Sequence, residues 1–108
     1  MVQHSELQSL LKEFKSGLES VYGPRLKGLY LFGSYARHEQ VEGSDIDTVV
    51  VLEKFEDSAE EVNKTGDLLW RLSLKYGVTV SEVFVKQTDW LHKKSPFLDN
   101  VREESIAA

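Results

Sequence analysis

Residues 29 to 52 read LYLFGSYARHEQVEGSDIDTVVVL. Two apolar runs frame this stretch, and each carries groups that a buried strand should avoid. The first run ends in Gly33-Ser34; the second begins with Asp45 and Asp47. Side chains at i and i+2 of a strand lie on one face, so the two carboxylates project together. Like charges held that close repel unless something positive lies between them. A divalent ion is the natural candidate, since Mg²⁺ prefers hard oxygen ligands and commonly takes one or two carboxylates plus substrate phosphates. Gly33-Ser34 supplies the complementary half. A strand ending in glycine, with serine opening a helical turn, offers backbone N–H groups, a hydroxyl donor and a positive dipole end suited to a phosphate. Glycine also lacks the Cβ that would hold a phosphate off the backbone. Each motif alone has an ordinary reading, Gly-Ser as a turn and D-x-D as a solvated strand end. Their joint spacing lifts both above it.

Working outward, Leu7, Leu10, Leu11, Phe14, Leu18, Val21 and Tyr22 recur at spacings of three and four, which predicts an amphipathic helix over 5–22. Ser5 and Gln8 have capping-box spacing at its start. Strands are predicted at 26–32, 44–53 and 78–85, with a helical turn at 35–39 after the first. Ser58 and Glu61 open a helix to Tyr76, placing Val62, Leu69, Leu72 and Tyr76 on one face, and Gly77 closes it. Thr88 or Asp89 caps a short helix through Lys94, where Lys93 and Lys94 suit the negative C-terminal end. Ser95-Pro96 begins a last helix to about Ser105. The order α-β-α-β-α-β-α-α predicts an α/β (α+β) fold, a small mixed sheet with helices packed mainly on one face, in one domain over 1–108.

Composition narrows the function. With 108 residues, 41% hydrophobic and 29% charged, the chain can bury one core but not a second lobe. Cysteine is absent, which removes disulfides, thiolate metal sites and cysteine nucleophiles and fits a cytoplasmic location. The polar start MVQHSELQ predicts neither a secretory signal nor a membrane span. A net charge of -5 argues against binding a long nucleic acid, which relies on Lys and Arg. His4, His38 and His92 read as surface residues. Trp70 and Trp90, on predicted helices, read as core or interface anchors rather than base-stacking platforms.

Gly33-Ser34, ten residues, then Asp45-Ile46-Asp47 resembles the G-S-x10-D-x-D signature of the minimal nucleotidyltransferases within the DNA polymerase β superfamily. The resemblance implies a nucleotidyltransferase-like fold and Mg²⁺-dependent transfer of a nucleoside monophosphate from a triphosphate such as ATP. It implies that Gly33 and Ser34 hold the β and γ phosphates, and that Asp45 and Asp47 bind one or two Mg²⁺ ions. Arg37, one turn beyond Ser34, either reaches the triphosphate or pairs with Glu39 or Glu42. His38 stands where the family often has glycine. The superfamily's third carboxylate aligns with Ser81, which carries no charge. Its neighbour Glu82 becomes a metal ligand only if a bulge turns it to the Asp45–Asp47 face; in a regular strand it points away.

The same resemblance implies a protein partner. Small stand-alone members of the family are often paired with a HEPN-type toxin, and some act as antitoxins that transfer AMP to a toxin tyrosine. No segment is left over to build an acceptor pocket, so a second subunit or the acceptor itself has to complete it, as a homo- or hetero-oligomer. Two alternatives stay open: a module that neutralises its partner by binding alone, and a nucleotidyltransferase acting on a small molecule.

Overall fold

The computed structural model describes residues 2–108. The elements run α1 (His4–Tyr22), a 3-10 turn (Gly23–Arg25), β1 (Leu26–Phe32), β2 (Ile46–Leu52), α2 (Ser58–Tyr76), β3 (Val80–Lys86), α3 (Gln87–His92), α4 (Pro96–Glu104) and β4 (Ile106–Ala107). The sheet order is β3-β2-β1-β4, with β2–β3 parallel and the other two pairs antiparallel. The mixed α+β sheet matches the expected class, but the helices cover both of its faces, the long α1 and α2 on one and the short α3 and α4 on the other. Among the described residues no helix is long and apolar enough to cross a membrane.

Both long helices form for the predicted reason, with their boundaries set by different caps. Leu7, Leu10, Leu11, Phe14, Leu18 and Tyr22 of α1 are buried, whereas Val21 is 46% exposed and drops out of the predicted face. The start of α1 is closed by the Glu6 carboxylate, which accepts the Gln3 N–H at 3.3 Å, in place of the expected Ser5–Gln8 box. An anionic acceptor suits the positive end of the helix better than neutral Gln8, whose side chain instead pairs with His4. At α2 the cap is Asp57, accepting from Ala59 N at 2.9 Å, so Ser58 is already helical. That leaves Glu61 free to turn inward with Thr65 and Leu72, while Val62 and Trp70 face outward at 43% and 66% exposure. Gly77 ends α2 in the left-handed region, as predicted (φ 65).

The alternation of β2 sorts two cores. Ile46, Val50 and Leu52 pack with α1 and α2. Val49 and Val51 face the other way and join Val85, Trp90, Leu98 and Val101 beneath α3 and α4. Tyr30 stacks on Trp90 with ring centroids 4.6 Å apart, and Phe32 meets Phe97 edge-on at 5.8 Å. Arg102 of α4 donates to the carbonyls of Trp90 at 2.9 Å and Lys93 at 2.6 Å, satisfying the end of α3 and fixing α4 against it. From there the chain turns into β4, two residues paired to Tyr30 and Leu31, which the sequence reading did not foresee.

Candidate active site

The site forms where β1 ends and β2 begins, because antiparallel pairing sets Phe32 opposite Asp47. Gly33 follows with φ +77, a backbone region costly for any residue with a Cβ. A Cβ added there would lie 2.5 Å from Asp47 Oδ2. Glycine is therefore required twice, by conformation and by the carboxylate beside it.

After Gly33 the backbone coils into the predicted helical turn. Ala36 and Arg37 N–H donate to the Gly33 carbonyl at 3.0 and 3.1 Å, and Glu39 N–H donates to Ser34 O at 2.9 Å. Tyr35, 2% exposed, anchors the turn: its hydroxyl accepts the Val2 N–H at 3.2 Å. His38 closes the turn at φ 58, the left-handed conformation that explains why glycine suits this position. All three histidines are exposed.

The charges are concentrated on one side. Arg37 Nε donates to Glu39 at 2.7 Å and its NH1 to Glu104 Oε2 at 2.8 Å. The surface pairing with Glu39 is thus present, and a second, distant carboxylate enters the turn as well. The same Glu104 oxygen accepts the Gly33 N–H at 2.7 Å. Asp47 is held above the ordinary carboxylate range, first by burial, then by Asp45, with Glu104 adding to it and Arg37 opposing.

Among the described residues, no group of three or more His, Cys, Asp or Glu side chains is placed to hold a metal ion. Asp45 and Asp47 form a two-carboxylate donor set with excess negative charge. That set fits a hard dication whose remaining ligands come from water and substrate phosphates, the usual coordination of Mg²⁺.

Glu82 lies elsewhere. The β2–β3 register is continuous, pairing Asp47 with Ser81 and Thr48 with Glu82, so no bulge turns the carboxylate round. Glu82 shares the α2 side of the sheet with Thr48, and the Thr65 hydroxyl donates to it. Its other oxygen is buried without a hydrogen-bond partner among the described residues. The expectation of a third ligand from β3 fails for the stated geometric reason: adjacent strand residues face opposite ways.

Burial pushes the Glu82 carboxyl up to about 7, opposed by the Thr65 bond. A carboxyl raised above its unfolded value adds stability below that value and loses it as pH rises through the folded one. The loss therefore falls between about pH 4.5 and 7. Urea denaturation should show Glu82→Gln matching the native chain at the acid end and exceeding it by about 2 kcal/mol above neutrality, a figure reduced for partial exposure. A pH-independent difference between the two chains would contradict the assignment.

Two cavities border this region. A cleft of about 320 Å³ opens beside Asp45, lined by Tyr35, Gly43, Ser44, Ser73 and Thr79 among others. A larger groove of about 580 Å³ lies between α1 and β4, lined by Leu7, Leu11, Leu31 and Ile106, and touches the turn only through Tyr35 and His38. The first borders Asp45; the second touches neither aspartate.

Glu104 was not predicted. It stands 67 residues from Arg37 in the chain, so no local pattern connects them. One signal existed: an acid in the last turn of a helix opposes the macrodipole and calls for a positive partner outside the helix.

The Nucleotidyltransferase domain family model matches residues 10–103. The chain is 34% identical over 101 residues to a Methanocaldococcus jannaschii protein named "Putative protein adenylyltransferase", covering 94% of this chain and 97% of that one. A second protein of that name and organism is 37% identical over 103 residues, with 90% and 92% covered. The fold is shared with a "putative nucleotidyltransferase" from Sulfolobus solfataricus, with a TM-score of 0.61 at 21% identity over 95% of this chain and 81% of the other. It is also similar to a chain of a toxin-antitoxin crystal structure with AMP-PNP, with a TM-score of 0.58 at 25% identity, covering 87% and 68%.

Proposed function

The chain belongs to the Nucleotidyltransferase domain family, and from that premise we propose that it transfers AMP from ATP to a protein acceptor, as the antitoxin partner of a HEPN-type toxin. The observation that carries this reading is the contact of the two motifs, Gly33 abutting the Asp47 carboxylate across the β1–β2 pair. The names of the two archaeal relatives support a protein acceptor, and the similarity to a toxin-antitoxin structure with AMP-PNP supports the partner and the nucleotide. Trp70 and Leu74, one helical turn apart on α2 and 66% and 64% exposed, offer an apolar surface to such a partner.

In this reading the Gly33 N–H, the Ser34 hydroxyl and Arg37 hold the β and γ phosphates and thereby orient the α-phosphorus. Asp45 and Asp47 would hold Mg²⁺, which when bound neutralises charge on the attacking and leaving oxygens of an in-line displacement. The oxygen of an acceptor hydroxyl forms the new bond to the α-phosphorus as the bond to pyrophosphate breaks, and the hydroxyl proton is released to solvent. The chain's own contribution is positioning and charge compensation, the main resources of phosphoryl-transfer sites.

The test is to incubate the protein with its genomic neighbour, MgATP and ATP labelled on the α-phosphate. Label should appear on the neighbour protein, and Asp45→Asn and Asp47→Asn should remove it. Label on a small molecule alone would redirect the reading to a small acceptor. A second reading is favoured by Glu82 turning away from the aspartates: neutralisation of the partner by binding alone. It requires the Asp45→Asn, Asp47→Asn double variant to silence the partner as well as the native chain does.

A further inference from the structure

Glu104 ends α4, and its Oε2 accepts from both Gly33 N–H at 2.7 Å and Arg37 NH1 at 2.8 Å. These are the donors that the two-motif site would direct at an anionic phosphate oxygen. A single carboxylate oxygen receiving a backbone N–H and a guanidinium N–H is a close chemical imitation of that oxygen. Stability alone does not explain its choice. Arg37 already has Glu39 as a partner at 2.7 Å. Glu104 also adds negative charge close to Asp47, which is already negative. An acid in the last turn of α4 is disfavoured by the helix dipole too.

We propose that Glu104 is a resident occupant of the phosphate cradle, holding Gly33 N–H and Arg37 until the polyphosphate of the nucleotide displaces it. The inference rests on the cradle being a nucleotide site. Glu104 is then an internal competitor: it keeps the Gly33 N–H and the Arg37 guanidinium partnered until nucleotide binds and lowers the apparent affinity for it. Displacement needs only rotation of the side chain, because α4 is fixed separately by Arg102 and by Val101 and Leu98 in the core.

Affinity for MgATP, and for magnesium tripolyphosphate, should be measured by calorimetry on the full chain without an acceptor, so that no turnover intervenes. Glu104→Gln keeps the size and removes the charge, and should tighten both ligands by about tenfold or more, the effect of losing a charge-assisted contact from the competing state. Glu104→Asp keeps the charge but is one methylene too short for both donors, and should tighten them severalfold. Unchanged or weaker binding in both variants, with helical content and thermal midpoint retained, would overturn the proposal. If Glu104→Gln loosens α4, Glu104→Asp alone decides the outcome. Failure of the function is separable: tighter binding without AMP transfer would leave the cradle competitor standing and remove the transferase reading, and transfer with unaltered affinity would do the reverse.

Discussion

Asparagine in place of Asp47 is expected to reduce AMP transfer by at least about 100-fold while leaving the protein as stable as before or slightly more so. The two effects have one cause. Asp47 sits half-buried with Asp45 and Glu104 near it, and Arg37 opposes their repulsion. Its carboxyl is therefore raised, so its contribution to stability is present below the unfolded value of 3.8 and is lost as pH rises through the folded value. Asparagine does not ionise and escapes that loss. The gain appears at neutral pH and is small because the group is largely solvent-screened; urea denaturation beside a labelled-ATP transfer assay reads it. A variant that lost activity through misfolding would lose stability as well. Joint loss of both would contradict the picture of a strained carboxylate pair held for charge compensation.

Gly33→Ala should be the most damaging small substitution in the molecule. The residue has φ +77, which costs an L side chain about 1–2 kcal/mol before any contact is considered. The new methyl would then lie 2.5 Å from Asp47 Oδ2, so either the β1–β2 pair or the carboxylate has to move. Together these effects should lower stability by about 2–4 kcal/mol. Binding of MgATP should weaken about tenfold or more, because displacing Asp47 disturbs the donor set and tilting the turn misdirects Gly33 N–H. Gly23, also at positive φ and placed at the end of α1, provides the control: a Cβ there meets nothing within 4 Å, so Gly23→Ala should pay the backbone cost without the loss of binding. Equal effects at the two glycines would mean that Gly33 serves the turn and not the site.

Much of this arrangement was readable in residues 29 to 52. The glycine, the serine and the aspartates stood out there by type and spacing, and the antiparallel register sets Gly33 beside Asp47. Helix faces were readable as well, though Val21 and Val62 show the limit. Three- and four-residue spacing locates an apolar stripe to within one side chain, and packing decides its edge. The N-caps of α1 and α2 lie two residues and one residue before the expected serines, whereas Gly77 and Ser95 cap where expected.

Glu82 and Glu104 mark the division. The sequence by itself determined the two strands, the Asp45–Asp47 spacing at the start of the second and the glycine after the first, because backbone periodicity and the absence of a Cβ are local properties. Whether Glu82 could join them depended on whether β3 carried a bulge, and the unbroken β2–β3 register directs it instead to Thr65 on α2. Which acid does approach the turn was decided by the path of the C-terminal helix across the second face of the sheet. Arg102, Leu98 and Val101 seat that helix, and its last residue reaches Gly33 and Arg37 only once it is seated. Contacts between residues about seventy positions apart have no sequence period; they exist only because the packed sheet closes that distance.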